Sequence, residues 1–125
     1  IGYIQLHSID WKNRHAINDI VIAKKEYRGR KAGVESLFLI ANFLFFELNF
    51  NKLYGYVYDY NDRSISINQS LSEIGVRKEG VLRKHSYKKG GYHDMLIFGL
   101  LKQDYEANYK KIVRGHLLND RNKKL

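Results

Sequence analysis

Apolar and polar positions alternate along Ile1 to Ile9 (IGYIQLHSI) with the period of two that a half-buried strand requires. Asp10-Trp11-Lys12-Asn13 reads as a turn, and Arg14 to Ala23 as the second strand of a hairpin. Asn18 and Asp19 interrupt that second apolar run. The break predicts a bulge, an inward-facing site residue or an edge residue turned to water. From Ala32 to Leu48 the chain is apolar on nearly every face, which predicts a helix packed on several sides, ended by Asn49-Phe50-Asn51. Lys52 to Tyr58 alternates again, with Leu53 and Val57 on one face and Tyr54, Tyr56 and Tyr58 on the other, a stripe expected to be half-buried packing. Asp59 or Asn61 caps the next helix, Ile67, Leu71 and Ile74 give it a buried stripe, and Gly75 closes it. Val76 to Lys88 and Tyr92 to Leu101 form a hairpin around Lys89-Gly90-Gly91, and Gln103 to Leu118 is amphipathic. The order β-β-α-β-α-β-β-α predicts an α/β (α+β) domain: a mixed sheet with crossover helices on its faces. Residues 1–102 form that domain, and 103–125 a basic C-terminal helix and tail.

Composition narrows the classes. A chain of 125 residues is one domain, and 44% hydrophobic with 14% aromatic residues argues for a folded globule. It has no cysteine, so disulfides and thiolate metal sites are excluded. Asn42 and Glu47 interrupt the longest apolar stretch, which is too short to cross a bilayer. A soluble, cytoplasmic protein with no membrane partner is expected. The chain opens on Ile1 and enters a strand at once, so an element upstream is expected as well. The net charge of +9, part of it local to Arg121, Lys123 and Lys124, calls for a polyanionic partner: nucleic acid, an anionic surface or a phosphate-rich small molecule. No metal is expected. His85, His93 and Asp94 lack a further ligand at typical spacing, and the D-x-N at Asp59 and Asn61 lacks the glycine and glutamate of a calcium loop.

The β-branched run Ile20-Val21-Ile22 leads into a basic stretch containing Arg28, Gly29, Arg30, Lys31 and Gly33, and the helix starts at Ala32. A strand, a glycine-containing basic turn and a helix start together make an anion site, because the first helical amides lack intrahelical partners. A solvated basic turn before a core helix fits equally well. Neither a P-loop nor a dinucleotide fingerprint is present.

The stretch resembles the pyrophosphate loop Q/R-x-x-G-x-G/A of the GCN5-related N-acetyltransferases (GNAT family). Arg28 takes the first place and Gly33 the last, while Lys31 stands where the family has its middle glycine. The hairpin at Asn13-Arg14 and the N-x-x-S at Asn61 and Ser64 are similar to the same family. So is the ending with Gly80, Leu82, Arg83, Gly91 (or Gly90), Tyr92, Asp94, Leu100, Leu101 and Lys102. That ending is closest to the ribosomal-protein and polyamine acetyltransferase branches. The resemblance runs from Ile1 to about Lys102. It implies a mostly antiparallel sheet flanked by helices and lacking the family's first strand and helices.

The resemblance also implies acetyl-CoA as cofactor and an amine acceptor, with a protein N-terminus, an amino sugar and a polyamine all open. The backbone of Ile20, Val21 and Ile22 would meet the pantetheine arm and the thioester carbonyl. Arg28, Gly29, Arg30, Lys31, Ala32 and Gly33 would hold the pyrophosphate, and Asn61 and Arg63 would complete the cofactor site. Many relatives have a basic glutamate where this chain has Ile17, so Asp19, two residues on, is the candidate base. The usual tyrosine falls at Asn68 or Leu71, so Ser64 is the candidate partner of the leaving thiolate. His85, Tyr92, His93 and Asp94 would line the acceptor side. A catalytically silent CoA-binding module is the alternative, with a basic nucleic-acid-binding domain behind it; a homodimer is open.

Overall fold

The structure, a computed structural model, describes residues 2–22, 24–27 and 32–111. Its strands are β1 (Gly2–Asp10), β2 (His15–Ile22), β3 (Lys52–Tyr58), β4 (Arg77–Lys88) and β5 (Gly91–Leu101). Its helices are α1 (Ala32–Asn42), α2 (Asp62–Ser70) and α3 (102–111). The strands form one mixed sheet in the order β1-β2-β3-β5-β4, with β1–β2 and β4–β5 antiparallel and β2–β3 parallel. The chain divides into two compact units, residues 1–56 and 57–125.

In the first unit, Asp10 makes the β1–β2 turn. Its two carboxylate oxygens accept from the Asn13 amide (2.8 Å) and the Asn13 side chain (2.9 Å), which holds the Asp10 carboxyl below its usual range. The Arg14 carbonyl at the end of this turn accepts from the Asn51 and Lys52 amides, which fixes where β3 starts. Trp11 packs edge-on against Phe50 at 5.2 Å. The core takes Ala16 from β2 and Leu53 from β3, which are register partners, with Leu37, Ala41, Leu44, Phe45 and Phe50. Asn18 and Asp19 are not a bulge: they pair in register with Leu6 and Gln5. The irregularity lies in β1, between His7 and Asp10, where Ser8 has a φ of 51°.

The long apolar segment departs from expectation twice. Its α-helical bonding stops at Asn42, and Phe43–Glu47 is a π-helical turn whose Phe43 carbonyl accepts from the Leu48 amide at 3.1 Å. Nor is it packed on all sides. Leu39, Phe43 and Phe46, one face at helical spacing, are 73%, 49% and 44% exposed. The tyrosine stripe of β3 is half-buried, with Tyr56 and Tyr58 40% and 42% exposed.

In the second unit, Asn61 caps α2 through its side-chain oxygen, and a short 3-10 turn (Leu71–Ile74) follows. Gly75 then reverses the chain at φ 107°, a conformation glycine enters without steric cost. Leu71, Ile74, Val76, Phe98, Leu100 and Tyr105 are buried, but Ile67 is exposed, against expectation. The apolar stripe shifts into the 3-10 turn because the chain tightens after Ser70. Burial raises the Tyr105 phenol far above its ordinary value.

Candidate functional site

β2 and β3 run parallel, yet they pair only over His15–Ile17 and Lys52–Tyr54. β2 continues to Ile22 and β3 to Tyr58. From Asn18 onward, β2 keeps its antiparallel partner β1 on one side, Ile20 facing Ile4 and Ile22 facing Gly2. Its other edge pairs with no strand among the described residues beyond Ile17. Just past the last pair, Gly55 still lies close to β2: a Cβ there would be 3.2 Å from the Asn18 carbonyl oxygen, so glycine permits the approach. A strand edge of that kind accepts an extended chain of amides as an added strand.

Asp19 stands on this stretch, exposed, with Oδ2 2.8 Å from His7 Nε2. Its other oxygen has no hydrogen bond to a described residue. Ile17, on the same face, is buried and offers no chemistry. Arg28, Gly29, Arg30 and Lys31 lie outside the described residues. α1 opens at Ala32, and a Cβ at Gly33 would meet no described atom within 4 Å, so the fold itself does not demand glycine there.

At the start of α2, the Asn61 oxygen accepts from the Ser64 amide at 3.2 Å. Its oxygen is therefore occupied by the cap, and its Nδ2 is left for another partner. The Ser64 hydroxyl, half-buried, bonds to no described residue, while the Ser64 carbonyl accepts from Asn68 Nδ2 at 2.8 Å. Asn68 is thus a structural side chain, Leu71 is buried, and Arg63 is exposed. A depression of about 240 Å³ beside α2, lined by Ile65, Asn68, Ser72, Leu96 and Phe98, contains none of the predicted site residues.

On the β4–β5 hairpin, His93 and Asp94 come together around Asp59, a residue expected only as a cap. Asp59 Oδ1 lies 3.2 Å from His93 Nδ1, and Oδ2 accepts from the Asp94 amide at 3.0 Å. The Asp94 carboxylate in turn accepts from the Lys84 amide at 2.7 Å. Tyr60 stacks on Tyr58 (5.1 Å), meets the His93 ring edge-on (4.8 Å) and has Lys88 Nζ 4.2 Å from its centroid. His85 is exposed, and Tyr92 is exposed against Tyr87. Among the described residues no three His, Asp or Glu side chains form a metal-binding group.

Sequence reasoning missed His7, Asp59 and Gly55. His7 had no signal: it shares a face with Asp19 only because the β1 irregularity between His7 and Asp10 shifts the register by one residue. Gly55 had none, since a glycine inside a strand pattern does not say what approaches it.

A model of the acetyltransferase (GNAT) domain matches residues 1–97. The chain is 32% identical over 109 residues to the uncharacterised SPbeta prophage-derived N-acetyltransferase YokL of Bacillus subtilis, covering 87% of this chain and 59% of the relative. It is 30% identical over 106 residues to YdaF of the same organism, provisionally named a ribosomal N-acetyltransferase, covering 85% and 56%. Among solved structures it superimposes on spermidine N-acetyltransferase from Vibrio cholerae in complex with CoA and spermine. The TM-score is 0.75 at 26% identity, over 84% of this chain and 60% of the other. The chain thus spans 56–59% of the length of these two curated relatives.

Proposed function

The chain belongs to the GNAT acetyltransferase family, and from that premise we propose that it moves an acetyl group from acetyl-CoA to a primary amine by direct attack in a ternary complex. One observation carries the reading: the parallel β2–β3 ladder ends at Ile17 and Tyr54, so β2 from Asn18 to Ile22 keeps an edge for an extended amide chain. The backbone of Ile20, Val21 and Ile22 would pair with the pantetheine arm, and Arg28 to Gly33 would hold the pyrophosphate at the start of α1. Asn61, through Nδ2, and Arg63 would complete the grip. When bound, acetyl-CoA supplies the activated acetyl thioester.

The chain's own work is then proton management and polarisation. An acceptor amine is largely protonated at neutral pH, and Asp19, one oxygen of which bonds to no described residue, takes that proton directly or through water. A β2 amide stabilises charge developing on the carbonyl oxygen. Ser64, whose hydroxyl bonds to nothing else described, donates to the departing sulfur.

The charge of the hairpin bears on the acceptor. β4, β5 and the turn between them carry Arg77, Lys78, Arg83, Lys84, Lys88 and Lys89 against Glu79 and Asp94, and the Asp94 carboxylate is engaged by the Lys84 amide. Such a surface suits an amine on a neutral or acidic molecule, a protein N-terminus or an amino sugar, better than a polyamine.

The test is CoA binding by thermal shift, followed by turnover of acetyl-CoA with peptides, amino sugars and polyamines. The expected result is a rise in melting temperature, since ligand at ~100 Kd stabilises by about 2.7 kcal/mol, together with acetylation of at least one amine. No shift at millimolar CoA overturns the proposal. CoA binding without acetylation of any amine identifies the silent module instead.

A further inference from the structure

His7 lies on β1 opposite Ile17, and Asp19 on β2 opposite Gln5, so the two are diagonal neighbours on one face of the sheet. His7 Nε2 is 2.8 Å from Asp19 Oδ2, and His7 Nδ1 is 3.2 Å from Ser8 Oγ. Each end of the ring therefore has a partner. An ionised carboxylate only accepts, so Nε2 carries the hydrogen, while Nδ1 faces the Ser8 hydroxyl. Ser8 reaches back to its neighbour where β1 is irregular, at φ 51°. The two side chains remain 39% and 49% exposed, and an exposed pair of this kind adds little to stability. Its consequence is local: one oxygen of Asp19 is pinned to β1, and the other bonds to no described residue at the point where β2 parts from β3.

We propose that His7 is the positioning residue of the amine-deprotonating carboxylate. It holds Asp19 in one rotamer, so that Oδ1 accepts the acceptor's proton. The ammonium N–H bond breaks, the proton passes to Oδ1 and then to water, and the nitrogen lone pair is freed for attack. This rests on the reading of Asp19 as base, and the pair replaces the glutamate whose place Ile17 holds.

A double-mutant cycle in the full chain tests it. His7→Ala is expected to lower kcat about tenfold with the KM for acetyl-CoA unchanged, as for a lost charge-assisted hydrogen bond. His7→Gln, which still donates, should stay within about threefold of the parent, and His7→Ala should cost nothing further in an Asp19→Asn background. Full activity of Asp19→Asn overturns the base and with it the role of His7. Loss in Asp19→Asn without loss in His7→Ala, or an undiminished His7→Ala effect in the Asp19→Asn background, overturns the positioning role alone. A second readout needs no turnover: imidazole nitrogen NMR should show His7 as a single Nε2–H tautomer that becomes mixed in Asp19→Ala. A mixed tautomer in the parent protein overturns the proposal even if no acceptor is found.

Discussion

Asp19 has half its side chain in water and one oxygen on His7, so asparagine removes its charge without removing its bulk. Asp19→Asn is expected to fold and bind acetyl-CoA as the parent does and to lose roughly 10²-fold in turnover, the size of a general-base effect. Steady-state kinetics with the best amine of the panel measures it. Asp10 belongs to the same scale but to stability. Its carboxyl is lowered, first by the Asn13 amide, then by the Asn13 side chain, with His15 adding a smaller attraction. A depressed folded-state value means the contribution is present above the ordinary 3.8 and is lost as pH falls through and below it. The melting temperature of Asp10→Ala should lie below the parent's at neutral pH, and the gap should close in acid. A gap that persists unchanged at about pH 2 would show that the charged form is not what the turn uses.

At the scale of elements, α1 combines two unlike faces in a nearly uniform apolar sequence. Leu37 is 8% exposed and Leu39 is 73% exposed. Leu37→Ala should cost roughly 2–5 kcal/mol, the usual loss for a buried leucine, and Leu39→Ala about 0.5 kcal/mol or less. Urea unfolding of the two variants checks it, and equal costs would mean the helix is packed on both sides in solution. Gly75 joins α2 to β4 under a double constraint. Its φ is 107°, and a Cβ would come 2.5 Å from the Asp104 Cβ at the start of α3. Gly75→Ala should therefore cost roughly 2 kcal/mol or more in the same assay, combining backbone strain with overpacking. A cost near zero would show that α3 moves freely away from that turn.

For the whole molecule, the question is whether the net charge of +9 acts diffusely or at one place. A cofactor bearing several phosphates satisfies either account, and salt weakens both. The two accounts separate by position. Arg28→Ala should weaken CoA binding more than Arg121→Ala, measured by calorimetry at fixed salt, because Arg28 opens the basic stretch before α1 and Arg121 belongs to the C-terminal tail. Equal losses would assign the affinity to diffuse charge.

Sequence alone determined the order of the elements, both hairpin turns and the helix closure at Gly75. These follow from periodicity, from glycine's access to positive φ and from side chains that bond within a few residues of themselves. What it could not determine depends on groups far apart in the chain. Which face of α1 stays exposed depends on which residues pack against it, and an all-apolar helix does not encode a choice. The His7–Asp19 pair requires the β1–β2 register, with Gln5 opposite Asp19. The end of the ladder at Ile17 and Tyr54 is decided by where two strands, separated by a whole helix, stop running side by side. Only the tertiary structure sets that distance.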